Sequence, residues 1–189
     1  IVLVNFKLRH ICVFSIKKTM NPKGNIVFLG MMGSGKTSVG KLVSNKLKVN
    51  FFDTDHQIEK RLKMNIPNIF INKGEKFFRK QEEKITLEIL NKKNIVIALG
   101  GGAFLNKIIR EEVLKNHLSF WLNWDDKIII NRIEKSYKRP LAFNLSKTEL
   151  INLIKKRSTV YSKALYKIDC DNLSKAALVK KILNIYETY

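Results

Sequence analysis

The chain is 189 residues long and carries a formal net charge of +20, and 45% of its residues are hydrophobic. This length suits one compact domain, with or without a tail, and this apolar content excludes a largely disordered chain. No apolar run approaches the roughly eighteen residues that a membrane-spanning helix needs. The two cysteines, Cys12 and Cys170, form no CxxC pattern. They argue against a zinc site or a disulfide framework and favour a reducing, cytoplasmic location.

The high positive charge would suit a protein that binds nucleic acid. The basic residues are nevertheless spread along the chain, which is also rich in Lys, Asn and Ile. This pattern indicates drift in overall composition, so we expect no nucleic-acid partner and keep a basic nucleic-acid-binding ATPase only as an alternative. Arginines are scarce among the basic residues, so each one is a candidate for a role that needs a planar, forked donor.

Residues 1–23 are predicted to be an N-terminal extension to a single domain that covers residues 24–189. Residues 1–19 are apolar and basic and contain no acidic residue. They are compatible with an over-extended gene start, a cloning remnant or a targeting segment, but they lack the small-residue cleavage site of a secretory signal. We favour Met20 as the first residue of the native protein and expect the extension to be poorly ordered.

From Asn25 onward, short β-rich runs alternate with longer stretches whose apolar residues recur at helical spacing. The predicted strands are Asn25–Leu29, Asn50–Phe52, Ile95–Leu99, Leu118–Leu122 and Lys167–Cys170. The predicted helices are Lys36–Leu47, Asp55–Leu62, Glu75–Leu90, Lys107–Lys115, Asp125–Ser136, Lys147–Lys163 and Ser174–Tyr186. This alternation predicts an α/β fold with a parallel sheet covered by helices on both faces. Residues 137–147 have weak periodicity and are predicted to form a mobile lid.

The segment Gly30–Thr37 reads GMMGSGKT and fits the phosphate-binding pattern G-x-x-x-x-G-K-[ST] between a predicted strand and a predicted helix. Its glycines let the backbone N–H groups point at phosphate oxygens, and the following helix presents its positive N-terminus to the same anion. Lys36 can reach the β- and γ-phosphates, and the Thr37 hydroxyl can bind Mg²⁺. This segment, Gly30–Thr37, is called the P-loop below, and it predicts that the protein binds a nucleoside triphosphate.

Two carboxylates, Asp53 and Asp55, follow the second predicted strand. Ligands of parallel α/β sheets bind beyond the carboxyl ends of the strands, so one carboxylate could hold hydrated Mg²⁺ while the other meets an acceptor hydroxyl. Asp55 could also cap the helix that follows. Further along, Arg79 lies three residues before Glu82, and the pair is either an oriented carboxylate clamp or an exposed ion pair.

Three glycines, Gly100–Gly102, follow the third predicted strand, where they would let a small ligand lie directly on the backbone. Arg139 lies in the predicted lid, and an arginine that closes over transferring phosphates is a recurrent device in phosphoryl transfer. Arg157, on the next helix, could neutralise an acidic substrate.

In their order and spacing these motifs resemble the shikimate kinase family: the P-loop, D-T-D, F-R-x-x-E, the triple glycine, R-P-L and a late R-x-x-x-Y. The similarity extends from about Asn25 to the C-terminus. The resemblance implies a P-loop kinase fold with five parallel strands in the order 2-3-1-4-5. This chain departs from the family at Thr159-Val160, where Pro-Leu usually precedes the late Tyr161.

The resemblance also implies roles for individual residues. Asp55 would hold the shikimate hydroxyls and act as the base, while Arg79 and Arg157 would clamp the carboxylate. Mg²⁺ would be held by Thr37 and Asp53. The implied nucleotide-binding residues are Gly33, Ser34, Gly35, Lys36, Thr37, Ser38, Arg132, which would stack on adenine, and Arg139. The remaining implied shikimate-binding residues are Gly100, Gly101 and Gly102.

The implied activity is transfer of the ATP γ-phosphoryl group to the shikimate 3-hydroxyl, a step toward chorismate and the aromatic amino acids. Lys36, Asp55 and Arg139 are the implied catalytic residues. We expect ATP, Mg²⁺ and shikimate as ligands, a monomer, and no membrane partner. Another small-metabolite P-loop kinase, acting on gluconate or a nucleoside monophosphate, is the nearest alternative. A catalytically inactive P-loop protein is disfavoured because no motif residue is missing.

Overall fold

The computed structural model describes residues 24–134 and 145–189. Five strands form one parallel sheet in the order β2-β3-β1-β4-β5. They are β1 (Ile26–Leu29), β2 (Asn50–Asp53), β3 (Ile95–Ala98), β4 (Leu118–Asn123) and β5 (Tyr166–Asp169). Every residue of β1 and β3 is buried, because central strands of a parallel sheet are covered on both faces. The predicted fold class and strand order are confirmed.

Helices cover both faces of the sheet. Their bounds are α1 (Lys36–Leu47), α2 (Thr54–Leu62), α3 (Ile66–Leu90), α4 (Lys107–Asn116), α5 (Asp126–Glu134), α6 (Lys147–Tyr161) and α7 (Lys175–Thr188). A short 3₁₀ turn, Ala103–Leu105, precedes α4. Alternate residues of β1 point to opposite faces. Val27 therefore packs with α2 to α6, whereas Phe28 packs with α1 and α7. None of the described helices is long and apolar enough to span a membrane.

Helix α3 is longer than predicted. Its second half matches the predicted helix Glu75–Leu90, but it begins at Ile66 and has a non-helical residue, Gly74, at φ 79° and ψ 166°. This backbone conformation favours glycine, and it kinks the helix at that point. The missed first half is capped by the Asn65 side chain, which accepts from the Asn68 N–H, and it buries Ile69.

The other predicted elements agree with the structure to within one or two residues, except where they reach residues 135–144. That gap lies outside the described residues and contains the last two residues of the predicted helix Asp125–Ser136 as well as most of the predicted lid. The predicted extension, residues 1–23, also lies outside them. At the carboxyl edge of the sheet, β1 leads into the P-loop, β2 into Asp53 and Asp55, and β3 into the three glycines, so the fold gathers the predicted motifs.

Candidate active site

The P-loop connects the buried strand β1 to the N-terminus of α1. Gly35 precedes the helix at φ 88°, in the left-handed region that glycine adopts at little cost. No acidic side chain lies in the first turn of α1, so its positive N-terminal dipole is available to an anion. The Lys36 ammonium group donates to the carbonyls of Gly30, at 2.8 Å, and Met31, at 2.9 Å. The lysine is thereby held across the loop that the motif assigns to phosphate.

Asp53 links the end of β2 to the P-loop. Its Oδ2 accepts a 2.6 Å hydrogen bond from the Thr37 hydroxyl, so the two residues predicted to bind Mg²⁺ are in contact. Its Oδ1 accepts from the backbone N–H groups of Asp55 and His56, which makes Asp53 the N-cap of α2. The prediction that Asp55 caps this helix is wrong, because the helix begins one residue earlier, at Thr54. Hydroxyl and carboxylate oxygens are ligands that Mg²⁺ accepts, so this pair fits the ion.

Asp55 lies in the first turn of α2, against the triple-glycine loop. Although its side chain keeps some access to solvent, the surrounding protein atoms desolvate the carboxylate and raise the pKa of Asp55 to about 7. The negative charges of Asp53 and Glu82 raise this pKa further, and Lys36 opposes them. A carboxyl group that titrates near neutral pH is suited to accept a proton from a hydroxyl.

Arg79, on α3, is held by two carboxylates. Its Nη1 donates to Glu82 Oε2 at 2.7 Å, and its Nε and Nη2 donate to Glu75 Oε1 at 3.1 and 3.0 Å. Glu82 is 2% exposed, and desolvation raises the pKa of its carboxyl group while Arg79 lowers it. Because the partner is buried, the interpretation of Arg79–Glu82 as an exposed surface pair is wrong. The guanidinium group is instead oriented from within the core.

The triple-glycine loop lies against three predicted ligand-binding side chains. A methyl carbon on Gly100 would lie 3.1 Å from Asp55 Cγ, and one on Gly102 would lie 3.1 Å from Arg79 Cζ. One on Gly101 would lie 3.5 Å from Arg157 Nη1 and 3.6 Å from the Met32 backbone nitrogen. The approaches at Gly100 and Gly102 explain why these two positions are glycine, and the approach to Met32 places the loop beside the P-loop. The Gly100 N–H donates to Thr54 Oγ1 at 2.7 Å, which ties the loop to the start of α2.

Helix α6 carries Arg157 and Tyr161, one turn apart on the side that faces this loop. Arg157 is only 6% exposed, and its Nε has no hydrogen-bond partner within the described ranges. The Tyr161 hydroxyl donates to the Gly101 carbonyl, and burial raises the pKa of Tyr161 to about 12. A buried guanidinium group with an unpaired N–H is suited to an anionic ligand, since a carboxylate would supply the missing acceptor.

A cavity of about 330 Å³ lies on the other side of the P-loop. Its lining includes Gly35, Ser38, Arg132 and Leu178, so it combines the P-loop with apolar side chains. The lining also includes Trp124, whose ring lies 3.8 Å from the Arg132 guanidinium carbon. The position of Arg132 agrees with stacking on a nucleotide base. Trp124 was missed from the sequence, although an aromatic residue directly after β4, at the ligand-binding edge of the sheet, was a usable signal.

The structure brings together every predicted site residue that it describes, in two groups on either side of the P-loop. Arg139 lies outside the described residues, so its role stays a prediction. Ser34 Oγ is buried and has no hydrogen-bond partner among the described residues. Beyond Trp124, the sequence reasoning also missed Thr54, which anchors Gly100.

Comparison with known proteins decides the family. The family model described as shikimate kinase matches residues 32–187. The chain belongs to the shikimate kinase family. Curated shikimate kinases include one from Bacillus subtilis, 43% identical over 79% of this chain and 82% of its own length. Another, from Bartonella quintana, is 33% identical over 96% of this chain and 88% of its own length.

Solved structures of shikimate kinases agree with this assignment. The enzyme from Acinetobacter baumannii, in complex with shikimate, superposes with a TM-score of 0.82 at 32% identity, over 87% of this chain and 93% of that one. The enzyme from Aquifex aeolicus superposes with a TM-score of 0.78 at 33% identity, over 86% and 96%. A deoxyadenosine kinase and a gluconokinase, both 16% identical, share the fold alone.

Proposed function

We propose that this shikimate kinase family member transfers the γ-phosphoryl group of ATP to the 3-hydroxyl of shikimate. The observation that carries the proposal is the meeting of Asp55, Arg79 and Arg157 around the triple-glycine loop, which itself lies against the P-loop. A donor site for a nucleoside triphosphate and an acceptor site with two guanidinium groups are thus adjacent. The close similarity to curated shikimate kinases supports this choice of acceptor.

The acceptor site would bind shikimate by its carboxylate and its hydroxyls. Arg157, buried and with an unpaired Nε, and Arg79, oriented by Glu82, would hold the carboxylate. The ring would lie on the backbone of the glycine loop, where side chains would otherwise intrude. Asp55 would contact the hydroxyl to be phosphorylated. A neutral substrate without a carboxylate would leave the buried Nε of Arg157 without an acceptor, at a cost of about 1–3 kcal/mol, which disfavours nucleosides. This cost does not discriminate against gluconate, which also carries a carboxylate.

In the reaction, the 3-hydroxyl oxygen attacks the γ-phosphorus in line with the leaving oxygen of ADP. The new O–P bond forms as the bond from the γ-phosphorus to the β,γ-bridging oxygen breaks. Asp55 accepts the hydroxyl proton, for which its pKa of about 7 is suited. Lys36 stays with the phosphates and offsets their charge. Mg²⁺ held by Thr37 and Asp53 would supply further charge neutralisation when bound.

The remaining parts of the proposal concern the nucleotide-binding residues, the oligomeric state and the location of the protein. Arg132 would stack on adenine, and Gly33, Ser34, Gly35 and Ser38 would surround the phosphates and the sugar. Arg139 would come from a lid over residues 137–147 and meet the transferred group. We extend the proposal to a monomer, because one chain supplies residues for both substrates. We also propose a cytoplasmic location without a nucleic-acid or membrane partner.

A coupled assay of ADP release tests the function. We expect turnover of Mg-ATP that depends on shikimate and is much weaker with gluconate, nucleoside monophosphates or RNA. At shikimate concentrations that stimulate the wild type, Arg157→Met should release ADP no faster than it does without shikimate. Arg61→Met is the matched control, because Arg61 pairs with Glu88 on the surface and both side chains are more than 40% exposed. Equal turnover with gluconate, or turnover that only RNA stimulates, would refute the proposed acceptor.

A further inference from the structure

We propose that Trp124 is a positioning residue for the nucleotide, which acts by holding both Arg132 and the P-loop backbone in their binding arrangement. The inference rests on the proposed function for its ligand, ATP, and goes beyond it in naming this residue. Trp124 directly follows β4 and is only partly exposed, and its ring packs against the apolar clusters on both faces of the sheet. Because the core holds the ring in place, the Trp124 indole can serve as a fixed platform for the groups that contact it.

The first contact of the platform is with the P-loop. The indole Nε1–H of Trp124 donates to the Ser34 carbonyl at 2.9 Å. In a planar trans peptide the carbonyl and the next N–H point in opposite directions. Fixing the Ser34 carbonyl toward the indole therefore fixes the Gly35 N–H on the opposite side of the same peptide plane. Gly35 directly precedes Lys36 in the P-loop motif, and the backbone N–H groups of this motif surround phosphate.

The second contact is with Arg132. The guanidinium carbon lies 3.8 Å from the centre of the Trp124 ring, and Nη1 donates to the Gly33 carbonyl at 3.2 Å. One face of the planar guanidinium group thus lies on the indole, and one edge is tied to the P-loop. The opposite face remains the one on which a base can stack. Because the arginine is already ordered by these contacts, binding a base costs less conformational entropy than ordering a flexible side chain would.

These contacts close a ring that runs from Trp124 to Arg132, from Arg132 to Gly33, and from Ser34 back to Trp124. The same side chains line the cavity of about 330 Å³ next to the P-loop. Loss of the indole would therefore release the base-stacking group and one phosphate-binding peptide together. The effect should fall on ATP and leave the shikimate side, on the far side of the P-loop, unchanged.

Steady-state kinetics of two variants test this role. Trp124→Leu removes both the aromatic face and the N–H donor, and we expect the KM for ATP to rise about tenfold, in line with the loss of a partly desolvated cation–π contact and a hydrogen bond. Trp124→Phe keeps a ring under Arg132 and should give a smaller rise. The KM for shikimate should stay within about twofold of the wild-type value. A merely structural role of Trp124 would instead raise the KM for both substrates.

A double-mutant cycle with Arg132→Met separates positioning from general packing. If Trp124 acts through Arg132, the Trp124→Leu change should raise the KM for ATP much less in the Arg132→Met background than in the wild type. Full additivity of the two effects would overturn this part of the inference. An unchanged KM for ATP in folded Trp124→Leu would overturn all of it.

Fluorescence gives an independent readout that needs no turnover. Trp121 and Trp124 are the only tryptophans, so Trp121→Phe leaves the indole of Trp124 as the single reporter. We expect ADP to change its emission and shikimate alone to leave it unaltered. ADP that binds without any change in emission would contradict the placement of the nucleotide beside this ring. Absence of ADP binding to the wild type would instead refute the proposed function, which keeps the two failures distinct.

Discussion

Replacing Gly100 by alanine should move the carboxylate of Asp55 and thereby slow the chemical step. The added methyl carbon would lie 3.1 Å from Asp55 Cγ and 3.3 Å from Glu82 Oε1, and closer than 3.0 Å to Asp55 Oδ1. Asp55 is a short side chain in the first turn of a helix, so it cannot swing away as the end of a lysine could. The carboxylate must therefore shift by about 1 Å, a misplacement that can cost about 100-fold in rate.

Gly101→Ala is the matched comparison for this change. Its methyl carbon would meet no atom closer than 3.5 Å, so Asp55 keeps its position, and any effect should appear in the KM for shikimate rather than in kcat. The assay is the initial rate of ADP formation at saturating ATP over a range of shikimate concentrations, with thermal unfolding as a check of the fold. A kcat for folded Gly100→Ala equal to that of Gly101→Ala would refute the reasoning about Asp55.

Three further predictions follow from the same site. Arg157→Met should raise the KM for shikimate at least about 30-fold, since losing one partner of a buried charge pair costs about 2–5 kcal/mol. The control Arg61→Met should leave this KM unchanged. Equal effects of the two variants on the KM would contradict the carboxylate clamp. Tyr161→Phe should lower the free energy of unfolding by about 1–3 kcal/mol, because it leaves the Gly101 carbonyl without its donor. A urea titration measures this change, with Tyr166→Phe as the control. Identical unfolding midpoints for the two variants would count against the contact. The pKa of Asp55, raised from 3.8 to about 7, means that kcat/KM for shikimate should rise with pH through about 7. Because the folded state binds this proton more tightly than the unfolded state, the contribution of Asp55 to stability is present below pH 3.8 and is lost as the pH rises toward 7. Asp55→Asn should remove that part of the pH dependence, and an unaltered profile of unfolding free energy in this variant would contradict the assignment.

The fold could be predicted closely because its signals are local. Continuous apolar runs such as Ile26–Leu29 indicate strands buried on both faces, and the amphipathic stretches between them indicate crossover helices. The strand order came from the family resemblance, not from the pattern. The first half of α3 was missed because Ile66–Lys73 is short and ends at Gly74, although Asn65 and Pro67 are typical of a helix start.

The candidate site could be predicted as a set of residue types but not as a set of contacts. The P-loop pattern identified Lys36 and Thr37, yet nothing local shows that Thr37 meets Asp53, since sixteen positions separate them in the chain. The same holds for Tyr161 and the Gly101 carbonyl, which lie 60 positions apart. The cap of α2 was misassigned because Asp53 and Asp55 are both good caps, and only the first helical residue decides between them.

The central claim is that phosphate passes from ATP to a hydroxyl of shikimate, and ³¹P NMR of a reaction mixture tests it most directly. The mixture would contain the full chain, Mg-ATP and shikimate, with a parallel sample that lacks shikimate. We predict a new phosphate-monoester resonance, coupled to the proton on carbon 3 of the shikimate ring, that grows as ADP forms. ADP accompanied only by inorganic phosphate, or equal ADP formation in both samples, would contradict the account.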